Sequence, residues 1–203
     1  MNWHNTFFAL LIVFYSLDSF AGQGKLLGTP GVSQVEGSAG GGLVPWAQLA
    51  GYASDEEFAV NGFCSRADVS DYSLDVCGAQ VNVLDRVELS YAQQRFEVPA
   101  LNTTIEQSIT AAKVRLYGDI VYSSWPQLSL GAQHKSLDDG TVATLVGAQK
   151  TSGTDIYLAA SKLHLGALAG YNVFWNLTTR YSDANQLGLL GFGGENASKE
   201  LLF

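Results

Sequence analysis

The sequence is poor in positive charge and in long apolar runs. Of its 203 residues only 11 are lysine or arginine, against 19 acidic residues, so the formal net charge is −8. Because nucleic-acid binding needs clustered lysine and arginine to neutralise phosphates, this composition excludes nucleic acid as a partner. After residue 21 no apolar run approaches the ~20 residues that a membrane-spanning helix requires. Any crossing of a membrane would therefore have to be made by strands.

Cysteine is scarce as well, with two residues that flank the turn sequence ADVSDY. If residues 69–70 form a two-residue turn, Cys64 and Cys77 are diagonal neighbours on one face, too far apart for comfortable bridging. A register shifted by two residues would instead make them direct partners. In an exported chain such a pair is a candidate disulfide. Both outcomes, one disulfide or two free thiols, stay open.

Histidine and nucleophile motifs are equally sparse. His134 and His164 stand alone in their segments, and no cysteine or histidine pair has metal-ligand spacing. The strained G-x-S-x-G turn of many hydrolases is absent from the sequence. We therefore predict no metal, no cofactor and no enzymatic activity.

The first 21 residues have the pattern of a secretory signal peptide. An apolar run at residues 7–17 precedes Ser19-Phe20-Ala21, which places small residues three and one positions before a cleavage point. A run of this length is too short to cross a bilayer comfortably, which disfavours an uncleaved anchor. We expect export, with residues 22–203 forming one domain.

The chain does contain segments in which apolar and polar residues alternate. Segments of about ten residues at 87–96, 113–122, 155–165 and 171–181 place apolar residues on one face and polar residues on the other. Between them lie turn-rich sequences such as VLDR, YGD, LDDG and YSDANQ. Only residues 141–149 have helical spacing. The pattern predicts an all-β protein of eight to ten strands with at most one helix.

The segment YNVFWNLTTRY at residues 171–181 fits a transmembrane barrel and a soluble sandwich equally by itself; the other alternating segments, the export signal and the scarcity of Leu/Ile core runs favour the barrel. Tyr171 and Tyr181 bracket its apolar face and lie ~33 Å apart along a strand that rises ~3.3 Å per residue. A strand tilted by ~45° projects ~23 Å of that length onto the membrane normal. The lipid-facing band of outer-membrane barrels is ~25 Å tall, with aromatic residues at both rims. We predict that Tyr171 and Tyr181 are membrane-interface aromatics.

The polar faces of these strands would then line the lumen. The predicted lumen charges are Lys113, Arg115, Lys162, His164 and Arg180. They could border a path for a small solute or lock into a structural network, because a narrow barrel is nearly filled by its own side chains. The sequence does not rank these two roles.

Several blocks carry a family resemblance, among them GKLLGTPGVSQVEGSAGGGLVPW (residues 24–46), DRVELSYAQQRFEV (85–98), SGTDIYLAASKLHL (152–165) and NQLGLLGFGG (185–194). They resemble a family of exported proteobacterial proteins catalogued as domain of unknown function 3034. The resemblance implies an outer-membrane-type β-barrel in the bacterial outer membrane, in contact with the lipid bilayer, and it implies no activity. The family continues beyond the last block, so the chain resembles a C-terminally truncated member; a barrel that closes with fewer strands is the other interpretation.

The sequence therefore predicts an antiparallel up-and-down, porin-like β-barrel, incomplete at the C-terminus if the chain is truncated, that serves as a narrow channel or a structural barrel. The alternative is a soluble periplasmic barrel or sandwich that binds a small apolar ligand inside, since the same alternation serves both. An outer-membrane hydrolase is the weakest interpretation, because no acid–base pair stands out.

Overall fold

The structure, a computed structural model, describes residues 32–99, 102–194 and 200–202. The predicted signal peptide lies outside the described residues. The strands are β1 (Val32–Ser33), β2 (Ala39–Gly40), β3 (Phe58–Val69), β4 (Tyr72–Val83), β5 (Val87–Val98), β6 (Thr103–Tyr117), β7 (Gln127–Leu137), β8 (Ser152–Leu168), β9 (Tyr171–Ser182) and β10 (Glu200–Leu202). A short helix α1 (Thr141–Leu145) lies between β7 and β8, and a 3-10 helix (Gln186–Gly188) follows β9.

The strands β3 to β9 form one antiparallel sheet in which each strand pairs with its neighbours along the chain. These seven up-and-down strands curl strongly into a half-barrel. The three residues of β10 extend the sheet at one end of β9, where Leu202 lies opposite Arg180. The strands β1 and β2 form a separate two-stranded ribbon. The predicted all-β, antiparallel up-and-down fold is therefore confirmed.

Tight turns join β4 to β5, within the predicted turn sequence VLDR, and β8 to β9, at residues 169–170, where the sequence predicted no turn. Between β4 and β5, Leu84 and Asp85 both have positive φ angles, of 55° and 47°. Ala169 and Gly170 repeat this between β8 and β9, with φ angles of 49° and 85°. Two consecutive left-handed residues give the hairpin turn whose twist matches that of the flanking strands. These local conformations fix the register of both hairpins.

One predicted strand, residues 113–122, ends earlier than its alternation suggests. The strand β6 stops at Tyr117. Beyond it, the carboxylate of Asp119 accepts hydrogen bonds from the backbone N–H groups of Val121 and Tyr122, both at 2.7 Å. A carboxylate that bonds the backbone two residues ahead competes with strand pairing. The apolar alternation therefore continues into a loop.

The two faces of the curled sheet have opposite character. On β5, Glu88 and Gln94 are buried on the concave face, whereas Leu89 and Tyr91 are exposed on the convex face. Directly paired residues of adjacent strands point to the same face, so the convex residues form rows across the sheet. One row contains Val60, Val81, Leu89, Ala112, Ala132 and Ile156, and the next contains Phe58, Val83, Val87, Val114, Leu130 and Leu158. We call these two rows the apolar band.

A ladder of charges lies on the same convex face, toward one end of the strands. Its members Arg66, Asp75, Arg95 and Glu106 are successive partners on β3 to β6. Charges alternate along it, with 3.4 Å between Arg66 and Asp75 and 3.8 Å between Arg95 and Glu106. Exposed pairs of this kind contribute little to stability. The ladder instead shows where the convex face becomes polar.

The concave face is covered by the chain that precedes β3. Residues 33–53, called here the inner segment, are largely buried against it. The ring of Trp46 packs on Phe174, with centroids 4.5 Å apart. The half-barrel therefore encloses a segment of its own chain.

The predicted helix within residues 141–149 is present as α1. Its Ala143 packs with Ile105, Leu137 and Leu189 in a small apolar cluster at one end of the concave face. Among the described residues, no helix is long and apolar enough to cross a membrane.

The close packing at Gly131 gives a test of this fold. Gly131 on β7 is paired with Tyr157 on β8, and a Cβ atom at Gly131 would overlap the buried tyrosine ring. We predict that Gly131→Ala lowers the free energy of unfolding by about 1–3 kcal/mol, as overpacking does. The measurement is a denaturant titration of the wild type and the variant.

Gly62→Ala is the matched control, because a Cβ atom at this strand glycine would approach only the Gly78 carbonyl, at 4.0 Å. Its unfolding midpoint should be close to that of the wild type. Equal effects of the two substitutions would contradict the packing of Tyr157 over Gly131.

Candidate functional site

The candidate site is the polar concave face, where side chains of the sheet bind the backbone of the inner segment. Four side chains of the sheet donate to backbone carbonyls of the segment: Gln80 to Gly37 at 2.7 Å, Gln94 to Val35 at 2.6 Å, Gln127 to Ala47 at 2.7 Å and Thr178 to Pro45 at 2.7 Å. A buried carbonyl without a hydrogen-bond partner destabilises the folded state. These bonds remove that cost and so allow an irregular segment to be buried. The sheet and the inner segment therefore satisfy each other's polar groups.

A buried ion pair holds the middle of the inner segment. Glu88 on β5 and Lys113 on β6 are cross-strand partners, and their charged atoms lie 3.2 Å apart. The carboxylate of Glu88 accepts hydrogen bonds from the N–H groups of Ala39 and Ala50, at 3.0 and 2.8 Å. The ammonium of Lys113 donates to the carbonyls of Ala39 and Gln48, at 2.9 and 2.8 Å. Each charge thus has its opposite charge and two backbone partners.

A second, larger ion network lies beside the start of the inner segment. The carboxylate of Glu36 contacts both Lys135 on β7 and Arg180 on β9, and Arg180 donates to both of its oxygens. Asp155 on β8 lies 2.7 Å from Lys135 and 3.6 Å from Arg180. The hydroxyl of Ser182 donates to Asp155. Two cations and two anions therefore balance in a site from which water is excluded.

The approach of Glu36 to this network depends on the next residue. Gly37 has a φ angle of 94°, and a Cβ atom there would lie 2.5 Å from the Cβ of Ala92 on β5. Only glycine combines this left-handed conformation with such close packing. The turn at Gly37 lets Glu36 enter the network while the segment stays against the sheet.

The charges around Glu36 set its titration. Burial acts to raise the pKa of Glu36, but the positive charges of Lys135 and Arg180 and the hydrogen bonds that they donate lower it below its ordinary value. The group is therefore held as a carboxylate.

A third group of charges lies at the end of the sheet. The guanidinium of Arg115 pairs with Asp85 in the β4–β5 turn and donates to the carbonyl of Gly118 at 2.8 and 3.1 Å. Asp119 lies 3.4 Å away. Arg115 thus ties two neighbouring connections together.

Two of the predicted lumen charges, Lys162 and His164, lie on the convex face and not on the concave face. Lys113, Arg115 and Arg180 are on the concave face, but Lys162 is paired with Trp175, which is exposed on the convex face. The indole of Trp175 also donates to His164 at 3.2 Å, so His164 shares that face.

This corrects the assignment of Lys162 and His164 to the lumen. The ammonium of Lys162 is buried because the loop after β6 folds over it, with the carbonyls of Asp119, Val121 and Ser123 as acceptors. Three backbone carbonyls thus make an isolated cation acceptable on an otherwise apolar face. Lys162 serves to hold a loop and has no place in the concave network.

The cysteine and tyrosine predictions fall on the convex face. Cys64 and Cys77 are directly paired and form a disulfide, because the hairpin turns at residues 70–71 and not at residues 69–70. Tyr171 and Tyr181 are both exposed, at opposite ends of β9. That they meet a membrane interface stays a prediction.

Sequence reasoning did not identify Glu36, Lys135 or Asp155. Alternation alone placed charged residues on polar faces, but it gives no information about which ones meet across non-adjacent strands. Glu36 lies in a glycine-rich stretch without periodicity. One feature of the sequence could have singled out Glu36: it is the only charged residue among residues 33–53. Among the described residues, no group of three or more histidine, cysteine or acidic side chains could hold a metal ion.

The Glu88–Lys113 pair gives the first test of the site. We predict that Lys113→Met lowers the free energy of unfolding by about 3–5 kcal/mol, because it leaves Glu88 as a buried charge without its counterion. Arg66→Met, which removes an exposed member of the charge ladder, should have a far smaller effect. Denaturant titrations compare the two, and similar losses would contradict the burial of Lys113.

The lowered pKa of Glu36 gives a second test. Protonation of Glu36 favours the unfolded state, so its contribution to stability is present above its ordinary pKa of 4.5 and is lost as the pH falls through the folded value. The stability difference between the wild type and Glu36→Gln should therefore be large near pH 7 and shrink below pH 4.5. Unfolding midpoints measured across this range check it; parallel curves would refute it.

The half-barrel and its buried charges belong to a region that matches a known family. The family model described as "Protein of unknown function (DUF3034)" matches residues 29–202, which include every described strand. No curated protein and no solved structure matches the chain. The resemblance found in the sequence is thereby confirmed, and the chain belongs to the DUF3034 family.

Proposed function

We propose that this protein is a bacterial outer-membrane β-barrel protein whose convex face contacts lipid and whose interior is occupied by its own inner segment. The observation that carries the proposal is the inverted arrangement of the sheet, with apolar side chains outside and charged side chains inside. The role that fits this arrangement is structural, without catalysis, since the buried charges are engaged with one another and with the inner segment.

The inversion is visible in which side chains are buried. The largest fully buried ones include Lys113, Lys135 and five glutamines, and about half of the buried apolar residues are alanine. On the convex face, Val60 is 77% exposed and Leu177 is 62% exposed. A soluble protein places such residues the other way round. An outer-membrane barrel places them as seen here, because lipid is the solvent of its outer face.

The limits of the apolar face also fit a bilayer. Toward one end of the strands, the charge ladder marks where the apolar part of the convex face stops. On the other side, exposed aromatic residues gather near Lys162: Tyr171, Trp175, and Tyr122 and Trp125 in the loop after β6. Aromatic rings and lysine are the side chains that favour the membrane–water interface. The predicted interface positions of Tyr171 and Tyr181 are consistent with these limits.

The soluble alternative receives less support. A barrel that binds a small apolar ligand would need an apolar interior, but most of the concave face is polar and bonded to the inner segment. In water, the apolar band would form an exposed patch larger than monomeric soluble proteins tolerate. The same covering by the inner segment favours a structural barrel over an open channel.

Leu130→Arg tests the contact with lipid. Leu130 lies in the apolar band and is exposed, so in water the substitution should change the free energy of unfolding by no more than about 0.5 kcal/mol. If lipid covers the band, we expect a loss of about 2–4 kcal/mol near the bilayer midplane. The measurement is reversible unfolding from lipid vesicles, preceded by a gel assay of whether boiling shifts the mobility of the folded chain.

Thr104→Arg is the control, because Thr104 is exposed on the same convex face, on the adjacent strand β6, but lies opposite Glu97, next to the charge ladder. It should fold in vesicles like the wild type. A chain that stays monodisperse without detergent, shows no heat shift and tolerates Leu130→Arg would overturn the proposal.

A further inference from the structure

We infer that Lys135 and Arg180 form a carboxylate-binding site in the wall of the half-barrel, which Glu36 occupies here and which a small carboxylate solute takes when the inner segment leaves. The inference does not depend on what contacts the convex face. It goes beyond a structural barrel because it assigns a ligand class to the interior.

The sheet supplies both cations of the site, and the 3-10 helix after β9 adds one carbonyl, that of Leu187, which accepts from Lys135 at 3.1 Å. Lys135 on β7 and Arg180 on β9 flank Asp155 on β8, and all three are buried. Asp155 contacts both cations, at 2.7 and 3.6 Å, and is itself fixed by the hydroxyl of Ser182. The two cations are therefore held in position by their own strands and by Asp155, and Lys135 also by Leu187. The carboxylate that they share comes from outside the sheet.

The charge balance requires an anion at that position. Without Glu36 the wall retains two cations and one anion, an excess of one positive charge in a buried place. An uncompensated buried charge is strongly destabilising, so the site should attract another anion. The chain as a whole is acidic, with a formal net charge of −8, so this positive site is a local feature.

The geometry selects a carboxylate of modest size. Arg180 donates to both oxygens of Glu36, the forked arrangement that guanidinium groups make with carboxylates. Space beside Lys135 is limited: a Cβ atom at Gly188 would lie 2.6 Å from Nε2 of Gln107 and 3.2 Å from Cδ of Lys135. The buried amide of Gln107 has no hydrogen-bond partner among the described residues, so it is a spare donor next to Lys135.

The occupant is joined to a segment with no other charge. Glu36 is the single charged residue of the inner segment, so all of that segment's ionic attraction to the wall passes through one carboxylate. Its remaining contacts include hydrogen bonds between its backbone and wall residues and the packing of Trp46 on Phe174. A free carboxylate competes with Glu36 for the same donors and would replace the strongest single attachment.

The experiment is chemical rescue of Glu36→Ala in the full chain, refolded in detergent at neutral pH. Sodium acetate is titrated against sodium chloride at matched ionic strength, and the thermal unfolding midpoint is measured. We expect the midpoint of the variant to lie below that of the wild type and to rise by several degrees, saturably, with acetate and not with chloride. If the variant folds only in acetate, the refolded yield replaces the midpoint as the readout.

Two controls make the result specific. Glu106→Ala removes an exposed partner of Arg95 and should show no difference between acetate and chloride. Adding Arg180→Met to Glu36→Ala should abolish the acetate response. The inference is overturned by equal responses to the two salts, by a response that survives Arg180→Met, or by failure of acetate to restore any folded Glu36→Ala.

Discussion

The structure depends on the mutual satisfaction of polar groups between the concave face and the inner segment. An irregular segment can be buried only if its carbonyl and N–H groups find partners, and here glutamine, serine, threonine and charged side chains of the sheet provide them. In return, Glu36 neutralises the excess positive charge of Lys135 and Arg180. Each part thus supplies hydrogen-bond and charge partners that the other would otherwise lack.

This interior explains why the outside can be apolar. Much of the concave face is occupied by side chains that make hydrogen bonds and ion pairs, so most of the sheet's leucine, valine and isoleucine side chains lie on the convex face. Both faces therefore follow from one alternation of polar and apolar residues along the strands. Lys162 is the one lysine on the convex side of β8, and its charge is shielded there by hydrogen bonds to three backbone carbonyls.

The fold was more predictable from the sequence than the site. Alternation in residues 87–96 and 171–181 and the turn sequences between strands report local preferences, so strand positions and the up-and-down order followed from them. The network of Glu36, Lys135, Asp155 and Arg180 joins three strands and a segment without periodicity, and no local pattern encodes such contacts. Lys162 and His164 were misplaced because polar character was taken to mean an inward direction, whereas a covering loop and an indole partner serve the same need outside.

Strand parity limits how the half-barrel can be closed. In an up-and-down sheet of seven strands, the first and the last run in the same direction, so β3 and β9 could meet directly only as a parallel pair. A closed wall that keeps every pairing antiparallel needs an odd number of strands between them, whichever chain supplies these. The three residues of β10 already run antiparallel to β9 and mark the direction that the first such strand must take.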